Sequence, residues 1–488
     1  MELQFQKTGI PCLKEVLREP KNQEQTQELR LPEAYPDVGR VLGAFGVPVL
    51  RGKEWRRKEI GVSAGITVWV LYVPEDGSEV RSLQTWVPME FVWDLPETDR
   101  DGTIRVSLLL RGLDARSVSA RKILIRGELS ALAEAEEPQE IGVYLPENVP
   151  ADVQLLRRTY PMLLPKEAGE KAFALDEELT LPDDGAKLLS AVLRPEIIDQ
   201  KVMSDKVVFR GAANLHALLR TGDGELRCTD FELPFSQYTD LAREYAETAR
   251  ATVVPAVSGM EIEEWEGRLR LKAGLVGQYR VEEQQMVECV EDAYSPRRSV
   301  EKMLAQETVP AVLDQSREAV SVATEGELAV FLDGAMLLDQ PTVRPDGDSD
   351  VVTLTGTLAA LGKDETGMLC WENRRWEAER TIPCDSDCRV TTLAAPTGKV
   401  YWQDGGRGTV VLTTSTGTSR PMTMICGLEL GPMEEPDPAR PSLILRRTGE
   451  GGLWELAKAC GSTVEAIRSA NGLEAEPEGG KLLLIPVS

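Results

Sequence analysis

The sequence lacks the features that membrane insertion and nucleic-acid binding require. It contains no apolar run of about eighteen residues, the length that a membrane-spanning helix needs. No basic cluster stands out, and acidic residues outnumber basic ones by 80 to 55, for a formal net charge of −25. Because nucleic acids and anionic lipids attract concentrated Lys and Arg, neither is an expected partner. The acidity instead favours solubility or a basic protein partner.

Export and metal-binding signals are scarce as well. Residues 1–6 show no basic stretch followed by an apolar segment, so the sequence predicts a protein kept in the cytoplasm. In that reducing compartment we expect most of the eight scattered cysteines to be small buried apolar groups. Only Cys384 and Cys388 are close together, and a zinc site there would need two more ligands, while the single histidine, His216, is far away in sequence. The sequence therefore predicts no metal site.

Catalytic motifs are nearly absent. One Gly-x-Ser-x-Gly match occurs at residues 61–65 around Ser63, with His216 downstream. A nucleophile elbow opens a helix, whereas residues 66–73 alternate in the manner of a strand. We expect Ser63 to be a strand residue and His216 a structural histidine. No phosphate-binding Gly-x-x-x-x-Gly-Lys-Ser/Thr loop is present, and the sequence predicts no catalytic residue, no enzyme and no cofactor.

The sequence does contain an internal repeat of about 146 residues. Three apolar segments carry a central glycine, at Gly65, Gly211 and Gly356, which are 146 and 145 positions apart. A glycine-containing turn follows each segment, and then an extended piece that contains proline. Three landmarks that recur three times in the same order predict three copies of one domain.

Within the repeats the apolar pattern is that of strands. Ile66, Val68 and Val70 alternate along the chain and would share one face of a strand. Asp-Gly and Gly-Asp-Gly turns between such segments favour hairpins. The sequence therefore predicts a mainly β fold with three antiparallel β-sandwich or barrel-like domains. The connecting segments 152–158 and 298–307 have helical patterns, and we expect a helix in each.

The last 47 residues follow a different pattern. Short apolar strands at 443–445 and 481–486 flank two predicted helices. The first helix carries apolar residues at i, i+3, i+4 and i+7 from Leu453, so it has one face to bury. The second is expected to begin at Ser462, with Glu465 completing a capping box. The predicted order is β-α-α-β.

This terminal segment resembles LysM domains in the phrase 453–458, the turn 470–473 and the ending 484–486. The resemblance implies a groove for N-acetylglucosamine-containing glycans, chiefly peptidoglycan, between the loop after the first strand and the loop after the second helix. The corresponding binding positions and exposed helix face in this chain are Glu450, Gly451, Gly452, Leu453, Trp454, Asn471, Gly472 and Leu473. The family's first loop reads Gly-Asp-Ser/Thr-Leu, but this chain lacks the Asp and the hydroxyl there, and with them polar contacts to a sugar. We expect Trp454 to face outward and contact a protein.

Three β repeats followed by a LysM domain resemble the SipL-like family of spore coat morphogenetic proteins of spore-forming Clostridia, whose repeats are known as SPOCS or DUF3794 domains. The phrases 65–73 and 87–91 fit the repeat, and 442–488 fit the terminal module. The implied organisation is a first repeat at 1–145, a second at 146–297, a diverged third at 298–435, a proline-rich linker at 436–441 and a LysM domain at 442–488.

The resemblance implies a non-enzymatic scaffold or adaptor in spore coat assembly. Such a protein would act in the mother-cell cytoplasm at the forespore surface, where its LysM domain docks onto the basement-layer ATPase of the coat. Neither a cofactor, nor nucleic acid, nor membrane insertion is implied. The alternative function is that of a peptidoglycan-binding protein that recognises N-acetylglucosamine glycans through its LysM domain.

Overall fold

The computed structural model describes residues 1–95, 101–183, 185–265, 267–384, 388–402, 404–434, 441–449 and 451–487. These residues are mainly in strands, and the two helices they contain both lie near the C-terminus. Each of the sheets is built from antiparallel pairs. The predicted mainly β, antiparallel class is therefore confirmed.

The first group of strands forms two sheets. After the short β1 (Glu2–Gln4), its members are β2 (Gln6–Arg30), β3 (Val38–Arg56), β4 (Glu59–Pro74), β5 (Arg81–Asp94), β6 (Thr103–Ser119) and β7 (Lys122–Leu145). β4 lies between β3 and β5 in one sheet, and β7 lies between β2 and β6 in the other. The middle of β4, residues 64–72, is buried on both faces, so both of its side-chain sets are apolar.

The same order of pairing occurs in two later groups. The second group contains β8 (Gln154–Thr180), β9 (Lys187–Met203), β10 (Lys206–Arg220), β11 (Leu226–Asp240), β12 (Arg250–Trp265) and β13 (Arg268–Tyr294). The third contains β14 (Val300–Ala323), β15 (Val330–Leu338), β16 (Thr342–Asp346), β17 (Ser349–Lys363), β18 (Leu369–Pro383), β19 (Cys388–Trp402) and β20 (Gly406–Leu430). β10 and β17 are the central strands that correspond to β4, and β13 and β20 correspond to β7. The third group differs because two short strands, β15 and β16, pair with one side of β17.

The central glycine of each group lies beneath an aromatic ring of the neighbouring strand. The three contacts are Gly65 with Trp86, Gly211 with Phe235 and Gly356 with Trp376. A Cβ placed on any of these glycines would lie 2.7 Å or less from an atom of the ring. Because only glycine leaves that space, the glycine and the aromatic residue form one packing feature that occurs in all three groups.

The three groups also pack against one another. β1 pairs with β20, so the N-terminal residues join the sheet of the third group. The backbone N–H of Phe5 continues this contact by donating to Cys426 O at 3.0 Å. One apolar cluster draws side chains from all three groups; its buried members are Ile10, Cys12, Ile141, Val143, Leu164, Val287 and Val309. The first and last groups are thus joined both by backbone pairing and by a shared core.

Buried ion pairs surround a cavity of about 670 Å³ between the groups. Arg105 lies 3.4 Å from Glu134, Arg280 lies 3.2 Å from Glu136, and Arg18 also pairs with Glu134. Burial lowers the pKa of Arg18 to about 10, so its guanidinium stays charged at neutral pH. Each of these three cations is paired with a carboxylate of the cavity, which offsets part of the cost of burying the charges.

One buried amide closes the edge of a sheet. Gln278 of β13 is fully buried, and its Nε2 donates to Val106 O while its Oε1 accepts from Val106 N, both at 2.8 Å. Lys53 Nζ donates to the same Oε1 at 2.8 Å. The side chain of the second group therefore takes the place of a neighbouring strand for β6, whose buried backbone groups would otherwise be unpaired.

The connecting segments predicted to be helical are extended instead. β8 begins at Gln154, inside the segment 152–158, and β14 begins at Val300 and covers most of 298–307. Each pairs along its length with a partner strand, β13 or β20. These helix predictions are wrong because pairing with a distant strand outweighs a short local pattern. Of the predicted linker, residues 436–440 lie outside the described residues.

The C-terminal module has the predicted β-α-α-β order. Its elements are β21 (Leu443–Arg447), α1 (Gly452–Cys460), α2 (Val464–Asn471) and β22 (Leu482–Pro486), and β21 pairs with β22. The buried face of α1 is the predicted one. α2 begins one residue later than predicted, because Thr463 is the N-cap and its hydroxyl accepts from Ala466 N at 3.1 Å. Ser462 instead donates its hydroxyl to Pro486 O. None of the described helices is long and apolar enough to span a membrane.

The Gln278 contact gives a first test of how the groups are joined. We expect Gln278→Leu to lower the free energy of unfolding by about 2 to 4 kcal/mol, because it leaves the N–H and C=O of Val106 buried without partners. Urea denaturation followed by intrinsic fluorescence measures this loss. The matched control is Gln284→Leu in the same strand, where the side chain is exposed. Equal unfolding midpoints for the two variants would contradict the assigned role.

Candidate functional site

The C-terminal module is anchored to the end of β13. Tyr294, the last residue of β13, belongs to the apolar cluster of the module and is buried. Its hydroxyl donates to Ser462 O at 3.0 Å, and its ring meets the Trp454 ring edge-on, with centroids 4.8 Å apart. The core of the module is therefore completed by a residue of the second group.

A partly buried carboxylate strengthens this anchor. Asp292 Oδ2 accepts from Trp454 Nε1 at 2.8 Å and from Lys458 Nζ at 2.7 Å, and Lys302 donates to its Oδ1. Burial by itself would raise the pKa of Asp292, but the hydrogen bonds from Lys302, Lys458 and Trp454 outweigh it and hold that pKa at about 2. Asp292 is therefore ionised at neutral pH and links α1, β13 and β14.

These contacts correct the expected position of Trp454. The side chain was expected to lie on an outward face and contact another protein, but it is half-buried and packs on β13 of the same chain. Sequence spacing placed Trp454 beside the buried Leu453 correctly. It gave no sign that Asp292 and Tyr294, about 160 positions earlier, cover the indole.

The positions expected to form the first side of a sugar groove are also engaged. Glu450 lies outside the described residues. Leu453 N donates to Glu476 Oε1 at 2.6 Å, and a Cβ on Gly452 would lie 2.6 Å from the same oxygen. Glu476 follows α2, so its carboxylate ties the second loop to the first across the expected groove. Gly451 is the N-cap of α1, and as a glycine it has no side chain that could cap the helix.

The positions on the second side hold the module together. Asn471 Nδ2 donates to Ile467 O at 2.8 Å and to Leu484 O at 2.6 Å, and its Oδ1 accepts from Leu484 N at 2.8 Å. Gly472 is the left-handed C-cap of α2, with φ of 59°, and Leu473 packs against the core. The amide of Asn471 therefore joins α2 to β22, and its hydrogen-bonding groups are used inside the module.

An exposed apolar face lies on the opposite side of the module's sheet. Leu443, Leu445 and Leu482 are 53, 62 and 54 % exposed; together we name them the leucine face. They share one side of the sheet: Leu443, Leu445 and Arg447 alternate along β21, and Leu482 is the residue opposite Arg447 on β22. Arg447, opposite Leu482, is exposed on the same side of the sheet, and Arg446 and Lys481 are exposed at neighbouring positions of the chain. This face was not predicted from the sequence. The signal was present, because both strands are apolar on successive residues while the two predicted helices can cover only one side of the sheet.

The candidate hydrolase residues do not form a catalytic pair. Ser63 lies within β4 and donates its hydroxyl to Glu90 Oε2 at 2.8 Å. Both ring nitrogens of His216 are bonded to carboxylates, Nδ1 to Asp230 and Nε2 to Asp333, each at 2.7 Å. Burial would lower the pKa of His216, but Asp333 and Asp230 outweigh that effect and raise it. Since β4 continues as a strand after Ser63, the match at 61–65 is not an elbow.

Known proteins add no further guide to this site. No protein-family model, curated protein or solved structure matches the chain. The geometry of the module therefore carries the functional argument, with the polar groups of the expected groove engaged internally and a leucine face open to solvent.

The anchor at Asp292 predicts a pH-dependent module. The pKa of Asp292, about 2, lies below the ordinary value of about 3.9, so ionised Asp292 stabilises the anchored module fully above about pH 4. That stabilisation is lost as the pH falls from about 4 to about 2. At neutral pH we expect Asp292→Asn to speed hydrogen exchange of α1 about tenfold or more, because two charge-assisted hydrogen bonds lose their anionic acceptor.

Hydrogen-exchange mass spectrometry of the α1 peptide measures this change. Glu455→Gln, on the exposed side of α1, is the matched control and should leave the exchange rate unaltered. In the unsubstituted protein, acidification through the same range should speed exchange beyond the intrinsic pH effect, and Asp292→Asn should be insensitive to it. An anchored module in Asp292→Asn with unchanged exchange would show that Asp292 is dispensable.

Proposed function

We propose that the chain is a non-enzymatic scaffold or adaptor in spore coat assembly, built from three SPOCS-like repeats and a LysM-like module that binds a protein. The proposed repeats span 1–145, 146–297 and 298–435, and the module spans 442–488. The proposed partner is a basement-layer ATPase of the coat, at the forespore surface in the mother-cell cytoplasm. The observation that carries the proposal is the leucine face, which is exposed on a module whose polar groove residues form hydrogen bonds within the module.

The recurrence of strand order supports the repeat assignment. In each group the long first strand pairs with the long last strand, and a second sheet, of three strands in the first two groups and four in the third, lies between them in sequence. The glycine under an aromatic ring occurs at the same place in all three central strands. A scaffold needs a rigid body with several surfaces rather than a catalytic cleft, and the paired charges of the central cavity agree with that role.

The leucine face supports a protein ligand rather than a glycan. Covering exposed leucine side chains with a protein surface removes them from water, which lowers the free energy. The same side chains cannot form hydrogen bonds with the hydroxyl groups of a sugar. The neighbouring Arg446, Arg447 and Lys481 would complement an acidic surface on the partner. A sugar groove would instead need free polar groups, and Asn471 and Glu476 already use theirs within the module.

Substitution of the leucine face tests the proposed contact. We expect Leu445→Asp combined with Leu482→Asp to weaken binding of the purified coat ATPase by at least about 10- to 30-fold, because charged groups would be buried in the interface. Surface plasmon resonance with the full chain measures the affinity. Ile198→Asp is the matched control, since Ile198 is 66 % exposed on β9 in the second group.

Two outcomes would contradict the proposal. One is an affinity for the ATPase that is equal in the leucine-face and control variants. The other is sedimentation of the full chain with insoluble peptidoglycan together with no binding to the ATPase, which would favour a glycan-binding protein. Circular dichroism of each variant establishes that the β fold is retained.

Removal of the module tests its role in the cell. Deleting residues 440–488 should release a fluorescently tagged protein from the forespore surface, because the proposed partner contact lies in the module. The strand groups should remain folded, since apart from Tyr294 their apolar clusters use no module residue. An unchanged ring of fluorescence around the forespore would place the targeting contact in the strand groups.

A further inference from the structure

Three side chains of metal-ligand type meet where the second group contacts the third. His216, Cys228 and Asp333 each offer one ligand atom, and these atoms all lie within 4.8 Å of one another. They come from β10, β11 and β15, and 12 and 105 positions separate them along the chain. No sequence motif joins them, which explains why the sequence analysis predicted no metal site.

Strand register brings the first two residues together. His216 on β10 lies opposite Asp230 on β11, and Cys228 precedes Asp230 by two residues. Because side chains alternate along a strand, Cys228 and Asp230 share a face, and His216 lies on that face beside both of them. The imidazole and the thiol are therefore presented side by side by a regular hairpin.

A local irregularity delivers the third ligand. The pairing of β15 with β17 shifts register between Phe331 and Asp333, as in a β-bulge. Bulges redirect side chains and occur often beside functional sites. Here the irregularity turns Asp333 of the third group towards His216, with Asp333 Oδ1 2.7 Å from His216 Nε2. Cys228 Sγ lies 3.3 Å from the carbonyl oxygen of Leu332, the residue at the bulge.

One atom of this cluster has no partner within the described residues. Asp333 is only 3 % exposed, and its Oδ1 accepts from His216 and, at 2.6 Å, from Gly334 N. Its Oδ2 is buried and receives no hydrogen bond from any described residue. A buried carboxylate oxygen left in this state is costly, which points to an additional positively charged species at the cluster.

The second nitrogen of His216 is oriented for metal binding. Its Nδ1 lies 2.7 Å from Asp230 Oδ1, and Asp230 is in turn paired with Lys399. A carboxylate on the non-coordinating nitrogen fixes the ring and raises the basicity of the other nitrogen in histidine-metal sites. Nε2 is thereby directed at the space shared with Cys228 and Asp333.

We propose that His216 Nε2, Cys228 Sγ and Asp333 bind one divalent metal ion, with Zn²⁺ the best match, and that this ion joins the second and third groups. Nitrogen, thiolate and carboxylate ligands suit Zn²⁺ and exclude Mg²⁺ and Ca²⁺, which prefer oxygen alone. On binding, the Cys228 thiol and the His216 Nε2–H each release a proton to solvent, and Asp333 exchanges its hydrogen bond from His216 for a bond to the metal. Water supplies the fourth ligand of the tetrahedron.

The required movement is small. Metal–ligand bonds of about 2.0 to 2.3 Å place tetrahedral ligand atoms about 3.3 to 3.7 Å apart. The separation between His216 Nε2 and Asp333 Oδ1 must therefore open from 2.7 Å, and the widest separations, up to 4.8 Å, must close by roughly an ångström. Cys228 is exposed, so its side chain has room to rotate towards the other two ligands.

Cobalt titration of the full, chelator-stripped chain tests the site independently of any coat partner. We expect one equivalent of Co²⁺ to produce the near-ultraviolet absorption of a thiolate-cobalt bond, and Zn²⁺ to abolish it by displacement. Cys228→Ser should remove this band, and His216→Gln and Asp333→Asn should each weaken Co²⁺ binding at least about tenfold. Asp230→Asn, which removes the orienting carboxylate and its pairing with Lys399, should weaken it about 10- to 100-fold.

Cys388→Ser is the matched control, because it removes a thiol of the third group that is not a member of the cluster, and one member of the Cys384–Cys388 pair. It should leave the cobalt spectrum unchanged. The proposal is overturned by a wild-type chain that shows no thiolate-cobalt band at one equivalent, a result that needs no variant to fold. A band that survives Cys228→Ser, or that disappears in Cys388→Ser, overturns it equally.

Discussion

The fold depends on antiparallel pairing between the first and last long strands of each group. In the first group this ladder runs from Gln6 opposite Leu145 to Arg30 opposite Lys122, so its inner end alone joins residues 92 positions apart. The corresponding inner ends in the other groups join Thr180 to Arg268 and Ala323 to Arg407. Each ladder joins strands on either side of the group's second sheet in sequence, so the two sheets of a group are coupled. Such distant pairing must overcome the entropy of closing a long loop before any contact is gained, and this favours slow folding of each group as a unit.

The junctions between groups rely on polar side chains that have few alternative partners. Gln278 satisfies both backbone groups of Val106 only if β13 and β6 adopt one relative position. Asp292 likewise needs Trp454, Lys458 and Lys302 together. Apolar clusters tolerate small slides between surfaces, whereas a buried amide or carboxylate left unpaired is strongly unfavourable. The hydrophobic clusters therefore supply most of the stabilisation, and these few polar contacts specify how the groups and the C-terminal module are placed.

Features set by neighbouring residues were predictable, and features set by distant ones were not. The strand period, the glycine turns and the β-α-α-β order follow from residues within a few positions of one another, and the structure contains them. The prediction of a helix at 152–158 was wrong because the strand that pairs with this segment lies more than 130 positions away in sequence. Trp454 was expected on an open surface because Asp292 and Tyr294 are remote in sequence. The contact of His216 with Asp333 depends on a bulge in another group. The N-cap of α2 is Thr463 rather than Ser462, because the Ser462 hydroxyl bonds to Pro486 O, which is distant in sequence.

The shape of the C-terminal module explains why one surface is closed and another open. Two helices cover only one face of a two-stranded sheet, so the outer face of β21 and β22 has no layer of this module against it. On the covered side, Tyr294 completes the small core, and Asn471 and Glu476 use their polar groups to hold helices, loops and strands together. A module of this size needs those internal bonds because its own apolar core is small. The same bonds that stabilise it remove the polar groups a sugar would use, and they leave the leucines of the uncovered face as the surface with the most to gain from a protein partner.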